Sequence, residues 1–376
     1  MSIPPGSTLG ILGGGQLGRM IAMAARTLGY RVAVLDPDPH CASAPVVDLC
    51  LTASFDDAGA VEELARRCDV VTLEIEKVSL EGLSRAAKHV PVRPGRAVLE
   101  VVQDRAQQKA WLHAHGFPMG LVAEVRDADE LAQVATRLSR PLIVKRSHGG
   151  YDGRGQARLE SPAEAEEIWS SLGGAPCVAE AALELALELS VAVARRPSGE
   201  VAVFPPAVNH HVNGILEHSQ LPGPLPAGVA EEARGIATRI AEALALEGLL
   251  TVEFFYTRQG ELFVNELAPR PHNSYHGSET ACVTSQFEQL VRAVCDLPLG
   301  STEVVRPTAI LNLLGDLWER GEPAWDRALA LPGVRLHLYG KHGPRPGRKM
   351  GHLSASAPTP EAALALLQEA HRRLAG

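Results

Sequence analysis

Residues 8–36 have the sequence TLGILGGGQLGRMIAMAARTLGYRVAVLD, in which two short apolar runs flank a helical pattern. Residues 9–12 and 31–35 predict strands, and residues 16–28 between them predict a helix. The same alternation continues to about Val101. A chain that alternates strand and helix forms a parallel sheet covered by helices. This segment therefore predicts an α/β domain of Rossmann-like type.

A glycine-rich turn from Gly13 to Gly18 joins the first strand to the helix, and Asp36 ends the next strand. This spacing matches the dinucleotide-binding fingerprint and by itself favours an NAD(P) oxidoreductase. Glycines at a helix N-terminus, however, let backbone amides approach any anion, including a phosphate-bearing substrate. We therefore expect a ligand other than a dinucleotide here, with a purely structural tight turn as the plainer alternative.

Length and composition limit the class of protein. The chain has 376 residues, which predicts two or three packed units, and its 45% hydrophobic and 21% charged content is typical of a globular protein. The net charge of −8 predicts no nucleic-acid partner and no attraction to an anionic membrane. No apolar run approaches the ~20 residues that span a bilayer, and residues 1–9 lack a signal-peptide pattern. We expect a cytoplasmic protein with six reduced thiols, because no cysteine spacing resembles a metal site.

A pair of glutamates in residues 251–266, TVEFFYTRQGELFVNE, predicts a metal site. A two-residue turn at Gln259 and Gly260 would make a hairpin in which Glu253 faces Glu266. Opposed carboxylates on one sheet face, with Cβ atoms ~5 Å apart, repel each other unless a charge compensates them. A Mg²⁺ ion that also binds substrate phosphates would do so. The alternative is a solvent-facing edge hairpin, but both arms have the apolar character of interior strands.

A glycine-rich loop follows the apolar strand that ends at Lys145. Residues 148–156, HGGYDGRGQ, hold four glycines in nine positions, and no Walker motif occurs in the chain. The loop predicts a mobile flap whose backbone amides cover an anion, with Lys145 and Arg154 as positive charges. A flexible hairpin without a ligand is the alternative.

Two further segments concentrate polar chemistry. Residues 341–349, KHGPRPGRK, hold four cations in an acidic chain, which suits a terminal phosphate on a small substrate. A solvated loop is the alternative, and the lack of interleaved aromatic residues argues against nucleic acid. Residues 268–276, APRPHNSYH, directly follow the predicted metal strand and predict an oxyanion pocket, or else a turn rich in hydrogen bonds.

The order of these motifs resembles the N(5)-carboxyaminoimidazole ribonucleotide synthetase family of ATP-grasp enzymes. The resemblance covers about residues 8–374 and is carried by GILGGGQLGRM (10–20), VKRSHGGYDGRGQ (144–156), NELAPRPHNSYH (265–276), SQFE (285–288) and RPGRKMGH (345–352). It implies an ATP-grasp fold of α/β (α+β) class. The implied domains are an N-terminal Rossmann-like substrate domain (1–103), a small ATP-grasp lobe with the flap (104–181), a large lobe with the Mg-ATP site (182–305) and a small C-terminal α+β domain with the phosphate-binding tail (306–376).

The resemblance also implies an activity. Members carboxylate 5-aminoimidazole ribonucleotide with bicarbonate and Mg-ATP through carboxyphosphate, which yields N(5)-carboxyaminoimidazole ribonucleotide, ADP and phosphate in purine (IMP) biosynthesis. A homodimer is implied as well. The alternatives are a formate-dependent glycinamide ribonucleotide transformylase of the same fold, which the GGYDGRGQ loop argues against, and, from another class, an NAD(P) oxidoreductase.

Site residues follow from the resemblance, position by position. ATP is assigned to Arg105, Lys145, Gly150, Tyr151, Asp152, Gly153, Arg154, Gly155, Gln156, Glu180, Ala181, Ala182, Leu183, Glu188, His211, Asn265 and Glu266. Mg²⁺ is assigned to Glu253 and Glu266, which agrees with the hairpin prediction. The ribonucleotide is assigned to Gln16, Leu17, Glu74, Glu76, Lys341, Arg345, Arg348 and Lys349. Bicarbonate and carboxyphosphate are assigned to Tyr151, Asp152, Arg154, Arg270, His272, Asn273 and Ser274.

Chemical roles can be attached to part of this set. The arginines would stabilise charge on the transferring phosphoryl group, and Asp152 could orient or deprotonate the attacking amine. Lys77 and Tyr275 stand where members often carry asparagine and glycine, and Tyr275 could narrow the bicarbonate side of the pocket.

Overall fold

The computed structural model describes residues 2–149, 155–319 and 321–374. Its first sheet has four parallel strands in the order β3-β2-β1-β4. The elements of this part are β1 (Thr8–Leu12), α1 (Gln16–Thr27), β2 (Arg31–Asp36), β3 (Leu49–Thr52), α2 (Ala58–Ala65), β4 (Val70–Leu73), α3 (Leu80–Ala86) and α4 (Arg96–Val102). The parallel sheet confirms the α/β prediction. The carboxyl ends of β1, β2 and β4 meet at one edge, which brings the glycine turn, Asp36 and Glu74 together.

A second, four-stranded antiparallel sheet has the order β5-β8-β6-β7. Its part of the chain consists of α5 (Arg105–Ala114), β5 (Val122–Val125), α6 (Ala128–Leu138), β6 (Leu142–Arg146), β7 (Gln156–Leu159), α7 (Ala165–Ser171) and β8 (Cys177–Ala181). Helix α5 begins where the side chain of Asp104 accepts hydrogen bonds from the amides of Ala106 and Gln107. The cap fixes the residue at which the helix begins. The helical period then places Arg105 and Lys109 on the same face, one turn apart.

The third sheet has nine strands in the order β14-β13-β9-β11-β12-β15-β17-β16, with β10 also paired to β9. Its elements are β9 (Leu185–Arg195), β10 (Val201–Val203), β11 (Ala207–Val212), β12 (Ile215–Leu221), α8 (Val229–Ala243), β13 (Gly248–Thr257), β14 (Leu262–Ala268), α9 (Ser278–Ala281), α10 (Gln286–Val294), β15 (Thr308–Leu314), α11 (Trp325–Leu329), β16 (Val334–Leu338), β17 (Lys349–Ser356) and α12 (Pro360–Leu374). Every pairing in it is antiparallel.

Helices cover both faces of this sheet. Alternate residues of β9 divide between two apolar clusters, with Val191 and Val193 in the cluster of α8, and Ala192 and Ala194 in the cluster of α10. Helix α1 belongs to the same cluster as α10, so the parallel sheet is joined to the large sheet through apolar contact. A membrane-crossing helix, of sufficient length and apolar character, is not found in the described part of the chain.

Candidate active site

A cavity of about 500 Å³ opens between the second and third sheets. It is lined by eighteen of the predicted site residues: Glu76, Arg105, Lys145, Gly155, Gln156, Glu180, Ala181, Ala182, Leu183, Glu188, His211, Glu253, Asn265, Glu266, Arg270, His272, Asn273 and Lys349. The predicted residues Gly150, Tyr151, Asp152, Gly153 and Arg154 lie outside the described residues. Gln16, Leu17, Glu74, Ser274, Lys341, Arg345 and Arg348 are described but are not part of this lining.

The pair of glutamates lies on a hairpin with an irregular register. Glu253 is paired with Glu266, as predicted, but the turn is wrong: the amide of Thr257 bonds the carbonyl of Glu261 at 2.9 Å, which leaves a three-residue loop. The longer loop shifts the strand register by one residue from the predicted one. A bulge beside Glu253, in which Asn265 is the additional residue, reverses this shift. Because a bulge sets two residues opposite one, the consecutive Asn265 and Glu266 both reach the cavity.

The expectation that both hairpin arms are interior strands is wrong for β14, which is the edge of the large sheet. Helix α5 covers this edge. The side-chain oxygen of Gln108 accepts the amide of Leu267 at 3.1 Å, and Lys109 Nζ donates to the carbonyl of Asn265 at 2.8 Å. These two edge groups are thus satisfied by side chains of α5, and α5 fixes the strand that carries Glu266.

Opposite charges surround the glutamate pair. Glu253 lies 3.1 Å from His272 Nε2 and accepts from the Asn265 amide at 3.3 Å, while Glu266 lies 3.3 Å from Arg105. Burial raises the pKa of Glu253, but His272, by hydrogen bond and charge, outweighs it and brings this pKa down to about 2. Glu253 is therefore a carboxylate, which is the form that a divalent cation binds.

A buried network of two lysines and a glutamate forms the adjacent wall. Lys145 Nζ lies 3.1 Å and Lys109 Nζ 3.4 Å from the carboxylate of Glu180, and Lys145 also reaches Asn265 Oδ1 at 3.3 Å. Burial raises the pKa of Glu180, but the two ammonium groups hold it below its usual value. Lys109 was missed by sequence reasoning, although its spacing of four from Arg105 on one helix was a usable signal.

Apolar side chains also belong to the cavity lining. They were not predicted, and they include Val122, Ile143, Leu185, Leu216, Phe255 and Phe263. The two phenylalanines are directly paired across β13 and β14, two positions from Glu253, so the alternation of the strand places them on its face.

The hairpin of β11 and β12 was also missed. Asn213 and Gly214 form its two-residue turn with φ of 52° and 75°, and this Asn-Gly pair is a strong hairpin signal in a sequence. The hairpin carries His211, which lies 3.1 Å from Glu188 at the cavity wall.

The segment after β14 divides between the cavity and the core. Arg270, His272 and Asn273 line the cavity, and the side-chain amide of Asn273 is buried without a hydrogen-bond partner among the described residues. Ser274 is buried beneath them, with its hydroxyl 2.8 Å from that of Ser190 and 2.9 Å from His272 Nδ1. Ser274 is thus placed to orient His272 from below.

Gln286 also positions His272 and was given no role at the sequence level. Its side-chain oxygen accepts the amide of His272 at 2.9 Å, and its nitrogen donates to the carbonyl of the same residue at 2.9 Å. Gln286 is fully buried at the start of α10, within the SQFE motif. The hydrogen bonds to the backbone of His272 show that this motif helps to position His272, and they exist only in the tertiary structure.

Tyr275 does not narrow the cavity, so that expectation is wrong. Its ring is fully buried, edge-on to Phe204, and its hydroxyl lies 2.8 Å from the carbonyl oxygens of Ser190 and Pro205. The side chain of Tyr275 therefore points away from the cavity. The side chain of its neighbour Ser274 also faces the core.

We therefore expect Tyr275→Phe to leave turnover within about twofold of the parent while lowering the free energy of unfolding by about 1 kcal/mol, the usual net value of one hydrogen bond. Urea denaturation and steady-state ADP release measure the two quantities. A large rise in the KM for bicarbonate would contradict this placement and indicate that Tyr275 lines the cavity.

The glycine turn near β1 is occupied by the protein's own carboxylates. Glu74 accepts the amides of Gly15 and Gly18 at 2.6 and 2.7 Å, and Asp36 accepts that of Gly14 at 2.7 Å. A Cβ atom built at Gly15 would lie 2.6 Å from Glu74. The amides are thus satisfied without an external anion, and Leu17 packs in the apolar core. The anion expected at the N-terminus of α1 is therefore the carboxylate of Glu74.

Glu76 connects the parallel-sheet domain to the cavity. Its carboxylate lies 3.1 Å from Arg270, and both side chains are 23% exposed. Burial raises the pKa of Glu76. The positive charge of the Arg270 guanidinium lowers this pKa and offsets part of the rise. Of the described residues predicted to hold the ribonucleotide, Glu76 and Lys349 are the two that reach the cavity.

The rest of the basic tail bonds to itself. Lys341 Nζ donates to the carbonyl of Lys349 at 3.1 Å, and Arg348 donates to the carbonyls of His342 and Gly343. Arg345 is exposed. The loop is shaped by its own cations, with Lys349 at the start of β17 turned into the cavity.

Family models match three consecutive parts of the chain. A ribonucleotide synthetase preATP-grasp domain matches residues 7–103, an ATP-grasp domain residues 110–287, and a phosphoribosylaminoimidazole carboxylase C-terminal domain residues 308–366. This result confirms the ATP-grasp fold that the motif order implied.

Relatives of similar length match along the whole chain. N5-carboxyaminoimidazole ribonucleotide synthase of Bacillus subtilis is 40% identical over 352 residues, which cover 94% of this chain and 92% of the relative. The Brucella melitensis enzyme of that name is 42% identical over 359 residues, covering 95% and 98%. Among solved structures, an N5-carboxyaminoimidazole ribonucleotide synthetase in complex with ADP superposes with a TM-score of 0.92 at 40% identity, covering 98% of this chain and 97% of the other. The Aspergillus clavatus synthase, in complex with ADP and 5-aminoimidazole ribonucleotide, gives 0.89 at 32% identity, with 98% of each chain covered. Together with the cavity and its paired glutamates, these matches show that the chain belongs to the N5-carboxyaminoimidazole ribonucleotide synthase family of ATP-grasp ligases.

Proposed function

We propose that this protein carboxylates 5-aminoimidazole ribonucleotide at the expense of ATP, producing N5-carboxyaminoimidazole ribonucleotide, ADP and phosphate in purine (IMP) biosynthesis. The observation that carries the proposal is the convergence in one cavity of the Lys145–Glu180–Lys109 network, the Glu253–Glu266 pair and the polar segment from Arg270 to Asn273. The solved relative that holds ADP and 5-aminoimidazole ribonucleotide supports the same substrates here.

The base of ATP is proposed to bind against apolar side chains of the cavity lining, and its phosphates against the cations of that lining. Phe255 and Phe263 offer flat apolar surface for the base, while Lys145 and Arg105 supply positive charge for the phosphates. The flap residues Gly150, Tyr151, Asp152, Gly153 and Arg154 are proposed to close over the phosphates, with Gly155 and Gln156 at the start of β7 as the fixed end of the loop.

The opposed carboxylates fit a Mg²⁺ ion. Glu253 and Glu266 are directly paired, both line the cavity, and they present hard oxygen ligands. When bound, the ion would supply positive charge that neutralises the negative charge developing during phosphoryl transfer. Arg105, at 3.3 Å from Glu266, orients this carboxylate.

Bicarbonate is proposed to bind against Arg270, His272 and Asn273. A bicarbonate oxygen attacks the γ-phosphorus of ATP, which forms carboxyphosphate and releases ADP. The exocyclic amine of the ribonucleotide then bonds to the carboxyl carbon, phosphate leaves, and the amine loses a proton, for which Asp152 is the proposed acceptor. The unpartnered amide of Asn273 supports an oxyanion at this point of the cavity.

The ribonucleotide is proposed to lie between Glu76 and Lys349, with its phosphate towards the basic tail. Gln16, Leu17 and Glu74 are proposed to contribute from the parallel-sheet domain, and Lys341, Arg345 and Arg348 from the tail. We also propose the domain boundaries 1–103, 104–181, 182–305 and 306–376, a homodimer, and a cytoplasmic enzyme with neither a nucleic-acid nor a membrane partner. The six free thiols, at Cys41, Cys50, Cys68, Cys177, Cys282 and Cys295, support a reducing compartment.

We expect Lys349→Ala to raise the KM for the ribonucleotide by roughly tenfold to a hundredfold, the loss of one hydrogen bond to a charged group, with a smaller effect on kcat. The exposed Lys88, changed to alanine, is the matched control. Initial rates at varied ribonucleotide concentration measure the effect, and an unchanged KM would move the ribonucleotide site away from β17.

The experiment that tests the function is ADP release from Mg-ATP with and without 5-aminoimidazole ribonucleotide, in bicarbonate or in formate. We expect stimulation that needs both the ribonucleotide and bicarbonate. Stimulation by glycinamide ribonucleotide with formate would instead establish the transformylase activity, and an absorbance change on addition of NADH would favour the oxidoreductase.

A further inference from the structure

A group of imidazoles and one carboxylate lies away from the ATP cavity, on β16, β17 and α9. His337 and His352 are directly opposed in the antiparallel pair of β16 and β17, so their side chains share one face of the sheet. Glu279 on α9 approaches the same face, with Oε2 3.7 Å from His337 Nδ1. One possible ligand atom from each of these three side chains lies within 4.8 Å of the others.

The orientation of His352 suits a metal ligand. Its Nδ1 atom lies 2.9 Å from the hydroxyl of Tyr339, a fully buried residue, and this bond holds the ring and leaves Nε2 for another partner. Histidines that bind metals usually have their second ring nitrogen hydrogen-bonded in this way. The ring is further fixed between His337 and His276, whose centroids lie 5.1 and 4.9 Å from it.

Both imidazoles are in the form that binds a metal. Burial, together with the neighbouring His337, lowers the pKa of His352 to about 3. Burial and the charge of Arg19 also lower the pKa of His337. The two rings are therefore neutral near pH 7, and each has a lone pair for a cation.

Among the described residues, the ion-pair neighbour of Glu279 is His337, whose imidazole is neutral. Burial raises its pKa to about 7, with only a partial opposing effect from Arg335. A partly buried carboxyl group of this kind gains from a nearby divalent charge, which would keep it ionised.

Solvent can reach the group from one side. The side chain of Glu279 is 35% exposed and that of His337 22%, whereas the whole of His352 is 2% exposed. An ion would enter past Glu279 and His337 and meet His352 at the base of the site. Tetrahedral coordination requires ligand atoms about 3.4 Å apart, so the ligand atoms, which lie within 4.8 Å of one another, would come closer together on binding, mainly through the more exposed Glu279 and His337.

We propose that Glu279, His337 and His352 form a binding site for a zinc-like divalent transition metal ion, with water as the fourth ligand. Two imidazole nitrogens and one carboxylate oxygen are ligands typical of Zn²⁺ or Co²⁺, and they distinguish this site from the all-oxygen pair Glu253 and Glu266. The bound ion links α9 to β16 and β17. Since α9 follows the segment that carries His272 and Asn273, binding stabilises the base of the active site.

The test is a titration of metal-free full-length protein with Co²⁺, and with Zn²⁺ against a chromophoric chelator, in excess Mg²⁺ that occupies the carboxylate pair. We expect one equivalent to bind, with the visible absorption of tetrahedral Co²⁺ and a rise in Tm. His337→Ala and Glu279→Gln should each weaken binding at least tenfold, while metal-free Tm and ADP release with Mg-ATP stay near the parent values.

A second histidine pair gives the matched control. His210 and His218 are also opposed across a hairpin, with ring centroids 4.8 Å apart beside Glu217, and His210 is 58% exposed. His210→Ala should leave the metal affinity unchanged. The proposal is overturned if the parent binds no metal in stoichiometric amount, if His337→Ala binds as tightly as the parent, or if His210→Ala is the variant that loses the absorption.

Discussion

Glu266→Ala should lower kcat for ADP release by about 1000-fold while the protein stays folded. Glu266 is one of two carboxylates proposed to hold the Mg²⁺ ion, whose electrostatic contribution to phosphoryl transfer is several kcal/mol, and each 1.36 kcal/mol is tenfold in rate. Its loss also removes the contact between this carboxylate and Arg105, which lies 3.3 Å away. The side chain is 39% exposed, so its removal creates no closed cavity in the core.

The control for this variant lies in the same hairpin. Glu261 is exposed at the loop and is not part of the cavity lining. Glu261→Ala should retain at least half of the parent rate, and circular dichroism with Tm should show both variants folded. If Glu266→Ala turned over at the parental rate across a range of Mg²⁺ concentrations, the metal assignment to this pair would be wrong.

Glu180→Gln should lower the free energy of unfolding by about 3 to 5 kcal/mol, the usual cost of removing one partner from a buried ion pair. The change leaves two ammonium groups, Lys109 and Lys145, close together at sites only 8% and 13% exposed, without their counter-charge. ATP affinity should fall as well, because Lys145 would no longer be held against the cavity wall.

Urea denaturation measures this loss, and a second substitution separates charge from packing. Lys109→Met added to Glu180→Gln should restore part of the stability, because it removes one of the unpaired charges. Glu160→Gln is the control, since its pair with Arg158 is exposed on both sides and surface pairs contribute little. Equal losses for Glu160→Gln and Glu180→Gln would show that the buried network does not stabilise the protein.

Local patterns in the sequence were sufficient for several features of this molecule. The alternation of apolar runs and helical stretches predicted the parallel sheet, because each element needs one face to bury and the period of its apolar residues shows which element it is. The pairing of Glu253 with Glu266 was also correct, although a three-residue turn and a bulge at Asn265 produced it in place of the predicted regular hairpin. Two one-residue shifts cancelled, and no local pattern shows a bulge.

The order of the motifs gave the family, and with it most of the residues that line the cavity. Assigning roles to single residues from the family resemblance could not show which way a side chain faces. Tyr275 directly follows the cavity segment but is buried against Phe204, whereas Lys109 and Gln286, to which no role was assigned, make direct contact with the network and with the backbone of His272.

By itself, then, the sequence determined the parallel α/β part, the opposed glutamates and the family, because these depend on residues close together in the chain or on their order. Only the tertiary structure decided that Glu74 occupies the helix N-terminus at Gly15 and Gly18, and that helix α5 covers the edge of β14. Each of these contacts joins residues 56 to 159 positions apart. Such partners are chosen by how packed elements meet, and their geometry exists only once the sheets and helices have come together.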